Sequence, residues 1–176
     1  HGALIVVPLS SAKGCELRAF NPTGDPIWTL GPLPGLCLAP GADDGTLLMA
    51  TADGAFVAID GQSGDVLAEN SAPTQLSASP AMAGNRWVLG GTESLVVAHV
   101  NGSSLSIETI PTPGRTARHI AAAGTYVAAT ADVVGTDDHR ILRAAFGDDG
   151  ALTVAGEIEP PGPITTPLAL APPCDG

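Results

Sequence analysis

GTLLMATADGAFVAIDGQSGDVLAEN, residues Gly45 to Asn70, reads as three short strands separated by two tight turns. The strands are Thr46–Thr51, Ala55–Asp60 and Asp65–Asn70, with Ala52-Asp53-Gly54 and Gly61-Gln62-Ser63-Gly64 between them. Strand-length runs bounded by Asp-Gly and Ser-Gly are how a β-meander is written, because Asp and Gly tolerate the positive φ that tight hairpin turns demand. The rest of the chain repeats this unit more loosely.

Four Pro-containing junctions recur: Gly31-Pro32-Leu33-Pro34-Gly35, Ala72-Pro73-Thr74, Pro111-Thr112-Pro113-Gly114 and Pro160-Pro161-Gly162-Pro163. The steps from Pro34 to Pro73, Pro113 and Pro161 are 39, 40 and 48 residues. A period near 40 with four strand-like runs in each is the mark of a β-propeller blade. The register holds across units. Second strands are Ala3–Val7, Thr46–Thr51, Arg86–Gly91 and Thr125–Thr130. Third strands are Glu16–Phe20, Ala55–Asp60, Ser94–Val100 and Arg140–Phe146, and fourth strands are Pro26–Leu30, Asp65–Asn70, Leu105–Ile110 and Leu152–Ile158. The first strands, Leu36–Ala39, Leu76–Met82, Thr116–Ala123 and Ile164–Ala171, are rich in Ala, Ser and Thr, which suits the crowded axis of a propeller.

The expected fold is therefore all-β: a propeller or propeller segment of about four blades of four-stranded antiparallel meanders, in one domain. The blades are expected near residues 1–35, 36–75, 76–114 and 115–162, with 163–176 the inner strand of a further or ring-closing blade. The frame opens on a second strand and closes on a first. Either Ile164–Ala171 pairs with Ala3–Val7 and closes a small ring, or the chain is part of a larger propeller. His1 in place of an initiator Met fits a removed signal peptide or a fragment boundary. It also resembles a copper-chelating N-terminal His, but nothing places His99, His119 or His139 beside it.

Hydrophobic residues make up 44% and charged residues 14%, a balance that supports a packed core. The formal net charge of −11 argues against nucleic acid, whose phosphates need a basic surface, and leaves room for a basic protein partner. No apolar run is long enough to cross a bilayer, so no membrane insertion is expected.

Gly45–Asn70 resembles the repeat of the pyrroloquinoline-quinone-like β-propeller family. The match is Thr51-Ala52-Asp53-Gly54, Ala58-Ile59-Asp60 and Gly64, with Leu67 at the repeat's Trp position. In the first unit it is Arg18-Ala19-Phe20-Asn21, Gly24 and Trp28; Ile107 and Val154 replace the Trp in later units. The family holds quinone-dependent dehydrogenases and cofactor-free propellers, including scaffolds for outer-membrane protein assembly. The resemblance implies an extracytoplasmic setting: periplasmic, outer-membrane-associated or secreted. The enzymes need a carboxylate-rich calcium site and an aromatic sandwich around the quinone. Aromatics are only 3% here, so the non-catalytic branch is expected, with no cofactor. The alternative is part of a quinone- or metal-dependent oxidoreductase whose site is completed by missing blades. No G-x-S-x-G elbow, P-loop or paired-Cys zinc motif is present, and no catalytic or metal residues are assigned. Carboxylates beside glycines (Asp43, Asp44, Asp53, Asp60, Asp65, Asp148, Asp149) read as turn chemistry, with calcium the minor alternative.

Second-to-third-strand loops are short in units two and three (Ala52–Gly54; Thr92-Glu93). They are expected to be long in unit one (Pro8–Gly14) and unit four (Ala131–His139), on the face that carries the Pro crossings. Binding residues concentrate on loops raised over a rigid scaffold. Asp137, Asp138, His139 and Arg140 are thus the expected ligand contacts, and the partner a protein or the remainder of the same propeller. Cys15 and Cys37 fall near the same face and are expected to bond; Cys174 belongs at the opposite face, free or bonded elsewhere. Arg115, Arg118, His119, Arg140 and Arg143 make a locally basic stretch, read as solvated strand residues or a small anion contact.

Overall fold

The computed structural model describes residues 3–162, 164 and 168–170. Among these residues there are thirteen strands and no helix. The organising meander forms as its turns dictate: β5 (Thr46–Ala50), β6 (Ala55–Asp60) and β7 (Val66–Ser71). Gly54 and Gly64 take φ of 90° and 78° at its two turns.

Three antiparallel sheets follow one another along the chain. The first is β1 (Ile5–Ser11), β2 (Gly14–Phe20) and β3 (Pro26–Leu33), in that order. The second sets β4 (Gly41–Asp43) beside β5, β6 and β7. The third runs β8 (Leu76–Ala83), β9 (Arg86–Asn101), β10 (Ser104–Ala123), β11 (Tyr126–Val133), β12 (His139–Phe146) and β13 (Leu152–Ile158). Its six strands contain two four-stranded units. In β9, Arg86–Gly91 pairs with β8 and Ser94–Asn101 pairs with β10. The break falls at Glu93, a non-glycine with φ of 53°. In β10, residues 104–111 close unit three, the register shifts after Pro111, and 115–123 pairs with β11 to open unit four.

Alternate residues of each sheet enter different cores, which stacks the units face to face. Cys15 and Leu17 meet Leu47, Met49, Val57 and Ile59 between units one and two. Leu48, Ala50, Phe56 and Ala58 meet Trp87, Leu89, Val96 and Ala98 between units two and three. Val88, Leu95 and Val97 meet Ala117, Val127, Ala129 and Leu142 between units three and four. Small residues at the inner strands are required by this stacking: a Cβ on Gly90 would lie 2.8 Å from the methyls of both Ala78 and Ala117.

Two expectations need correction. The first strand of unit two is not Leu36–Ala39. There Cys37 makes an isolated bridge to Thr51 and Leu38 N–H donates to Ala50 O, but regular pairing resumes only at Gly41. Pro40 has no N–H to give a ladder, and Ala39 N–H turns away to Ser79 Oγ of the next unit (3.1 Å). The loop of unit one is also not long. β1 runs on to Ser11, which pairs with Gly14, and Lys13 N–H donates to Ser11 Oγ, leaving a two-residue hairpin at Ala12-Lys13. Of the predicted inner strand Ile164–Ala171, residues 164 and 168–170 are described and lie outside any strand; its remaining residues, His1 and Cys174 lie outside the described residues.

Candidate functional site

The second-to-third-strand turns and the Pro crossings do share one face, and hydrogen bonds tie them together. Leu76 N–H donates to Ala52 O, Thr92 N–H to Gln75 O, and Val134 N–H to Gly114 O. Glu93 Oε1 accepts from Gly114 N–H at 2.7 Å. The Cys15–Cys37 disulfide lies at the same face, linking β2 to the segment that enters unit two, with Cα atoms 5.0 Å apart.

On this face, Asp137, Asp138, His139 and Arg140 line one groove of about 240 Å³ with Glu159, Pro160, Pro161 and Gly162. Thr136 folds the loop from Val134 to Asp138 back on itself: its N–H and hydroxyl donate to Val133 O, and Asp138 N–H donates to Thr136 Oγ1. Below it, Asp132 joins Arg118 and His139 across neighbouring strands. Arg118 Nε donates to Asp132 Oδ2 at 2.6 Å, and His139 Nδ1 lies 3.0 Å from Oδ1. Burial pushes the Asp132 carboxyl up, but the hydrogen bonds and charges of Arg118 and His139 outweigh it and hold it below the ordinary value.

The basic stretch is largely neutralised. Arg115 makes a two-pronged pair with Glu157, both contacts 3.1 Å, and Arg140 reaches Glu159 at 3.7 Å. The groove therefore presents Asp137 and Asp138 beside an Arg140 already engaged by Glu159. Some turn carboxylates are also in use, Asp149 by Ala151 N–H among them. Asp60 is held low by the N–H groups of Ser63 and Gln62, and Asp25 by the Asn21 amide and the Thr23 hydroxyl. Among the described residues, no three His, Cys, Asp or Glu side chains come together to hold a metal ion.

Contacts that hold successive units together at the turns between third and fourth strands lay beyond sequence reasoning. Trp28 Nε1 donates to Gly61 O (3.1 Å), and its ring lies over Gly64, where a Cβ would come within 2.6 Å of Cγ. In unit four the corresponding turn receives Arg86 instead. Its guanidinium donates to Gly150 O and stacks 5.3 Å from the Phe146 ring centroid. Trp87 takes yet another seat, on Gly41, where a Cβ would lie 2.2 Å from its ring.

The family model described as outer membrane protein assembly factor BamB, a PQQ-type repeat model, matches residues 13–107, more than half of the chain. The chain belongs to this family. Its match covers the Trp28 seat, the disulfide, all of unit two and unit three as far as the middle of its fourth strand. Among solved structures, the chain is similar to BamB from Moraxella catarrhalis at 13% identity and TM-score 0.57, over 81% of this chain and 47% of that one. It is similar to a europium-containing methanol dehydrogenase at 12% identity and TM-score 0.62, over 86% and 39%. The β-propeller domain of Cps50 (Swd1) from Myceliophteria thermophila matches at 15% identity and TM-score 0.60, over 83% and 56%. At these identities the likeness is one of fold, and the fold is a β-propeller. The chain spans well under two thirds of each of these proteins. No curated protein matches it in sequence.

Proposed function

We propose that this chain is a non-enzymatic propeller module that holds a protein partner on its loop face, in an extracytoplasmic compartment. The observation that carries the reading is the engagement of its charged side chains with one another. Arg118, Asp132 and His139 form one set, Arg115 and Glu157 another, and Arg140 and Glu159 a third. Groups committed to neighbours in this way brace the surface around the groove. The shallow groove of Asp137, Asp138, His139 and Arg140 suits a basic loop of a partner, and the net charge of −11 draws such a partner at long range. The Cys15–Cys37 bond supports an oxidising compartment. Membership in the assembly-factor family supports a scaffold role more than the fold likeness to a methanol dehydrogenase supports catalysis.

Two measurements test this. Titration with pyrroloquinoline quinone and calcium, read by visible absorbance and thermal shift, is expected to show no saturable binding; a saturable complex with alcohol-dependent dye reduction overturns the reading. A photo-crosslinking residue at Asp138 is expected to capture a discrete protein in the native host, and Asp137→Lys with Asp138→Lys to abolish the capture. Equal capture from the exposed strand position Thr153 overturns it.

A further inference from the structure

Five Asn-Gly or Asp-Gly steps lie among the described residues, and their surroundings differ. In three of them the glycine N–H is committed: Gly54 donates to Thr51 O at 2.9 Å, Gly61 to Gly45 O at 2.7 Å and Gly150 to Gly147 O at 2.9 Å. At Asp44-Gly45 and Asn101-Gly102 the glycine N–H has no backbone acceptor among the described residues. The second of these puts a neutral side-chain amide beside the unbonded nitrogen. Gly102-Ser103 is the two-residue loop of the hairpin between β9 and β10, closed by the pairing of Asn101 with Ser104. Asn101 is exposed, and its side chain has no hydrogen bond among the described residues. Gly102 has φ of 57°, and a Cβ there would meet nothing within 4 Å. The equivalent turns of units two and four are covered by Trp28 and Arg86. No side chain is seated on Gly102, although unit three packs against a neighbour on each side.

We propose that Asn101-Gly102 is a self-modifying site, at which the chain converts Asn101 to aspartate and isoaspartate without an enzyme. Gly102 N gives its proton to solvent base and attacks Asn101 Cγ. The N–Cγ bond forms, the Cγ–Nδ2 bond breaks, and Nδ2 leaves as ammonia with a proton from solvent. Water then opens the resulting five-membered imide. Opening at Cγ gives aspartate; opening at the main-chain carbonyl gives isoaspartate, in which the chain runs through Cβ. One water is consumed and one ammonia released, with no oxidant or reductant. Glycine is the residue this closure needs after Asn, because a following side chain crowds the approach of nitrogen to Cγ. The other asparagines are guarded. Asn21 precedes Pro22, which has no N–H, and its Oδ1 accepts from Thr23 and Asp25 N–H. Asn70 donates to Leu105 O at 2.6 Å, and its Oδ1 holds Ser71 N–H. Asn85 precedes the bulky Arg86. Asp44 closes more slowly than Asn101, since a carboxylate must first be protonated and then expel water. The product adds a negative charge to this turn and lengthens its backbone, at the end of the strands opposite the loop face. The inference is thus independent of what that face binds.

The test ages the full chain, disulfide intact, at neutral and mildly alkaline pH and maps it by mass after tryptic cleavage. The peptide Trp87–Arg115 carries Asn101 and no other Asn; Ala19–Arg86 carries Asn21, Asn70 and Asn85. Trp87–Arg115 is expected to exchange an amide for an acid about tenfold or more faster than Ala19–Arg86. Part of the product is expected to be isoaspartate, read by enzymatic methylation. The rate is expected to rise with pH, because the nitrogen attacks only after losing its proton. Gly102→Ala is expected to slow the conversion by about tenfold or more. Should that variant fail to fold, the comparison of the two peptides within the unaltered chain still decides. The proposal is overturned if Trp87–Arg115 converts no faster than Ala19–Arg86, or if its acid form contains no isoaspartate. It is also overturned if isoaspartate accumulates at Asp53, Asp60 or Asp149 as fast as at Asn101.

Discussion

At the scale of single residues, the most constrained contacts are glycines that receive a large side chain from the preceding unit. Gly64 has φ of 78° and lies under the Trp28 ring, so a methyl group there is opposed by both backbone and packing. Gly64→Ala is expected to destabilise the fold by about 1–3 kcal/mol, measured by urea unfolding. Trp28→Phe, which keeps one aromatic ring over Gly64 and loses the pyrrole N–H bonded to Gly61 O, is expected to cost about 1–2 kcal/mol. Asp132 offers a second residue-level test. Arg118 and His139 hold its carboxyl below the ordinary value in the folded state. Its stabilising contribution is thus present above the ordinary carboxylate value and is lost as pH falls through the lowered one. Stability measured over a pH series is expected to fall more steeply in acid for the parent than for Asp132→Asn. Parallel curves would show that the cluster contributes nothing to folding. Arg86 against Gly150 belongs to the same class of contact and had no signal in the sequence: an Arg at the start of a strand reads as solvated. The groove residues were legible because their loop is long for its position in the repeat. Their ion-pair partner Glu159 was not, since it comes from the following connection.

At the scale of elements, the strands follow turn chemistry closely wherever the turn is Asp-Gly or Ser-Gly, as in β5, β6 and β7. Departures occur where a side chain or a proline intervenes. Pro40 interrupts the inner strand of unit two, and Ser11 extends the hairpin of unit one by donating its hydroxyl to Gly14 O. The Cys15–Cys37 bond bridges the weakest of these connections, the irregular entry to unit two, across a separation of 22 residues. Cys15→Ser with Cys37→Ser is expected to lower unfolding free energy by about 3 kcal/mol, in the chain-entropy estimate for a loop of that size. Amide exchange is expected to rise first in β1, β2 and β4. Uniform loss across all units instead would show that the bond supports the whole fold and not this junction. Glu93 holds the crossing from unit three to unit four in the same way without a covalent bond, through Gly114 N–H.

At the scale of the whole molecule, three cores lie in series, and each inner sheet contributes opposite faces to two of them. A cavity in one core is therefore transmitted through a shared sheet. Leu89 is fully buried between units two and three, and Leu89→Ala is expected to cost about 2–5 kcal/mol and to unfold units two and three together. Two separate transitions by calorimetry would contradict that coupling. The outer faces are different. Ile5, Leu9 and Ile27 on unit one, and Tyr126 and Ile158 on unit four, are exposed.

The repeat, the strand order, the Asp-Gly and Ser-Gly turns of unit two and the nearness of Cys15 to Cys37 were determined by the sequence itself. Each depends on alternation, turn residues or one repeating frame, and those act within a few residues or recur at a fixed spacing. Only the tertiary structure decided which side chain seats on which glycine and how Arg115, Arg118 and Arg140 are neutralised. Those depend on the distance between stacked sheets, which is set by the packing of all their buried side chains at once and is written in no local stretch.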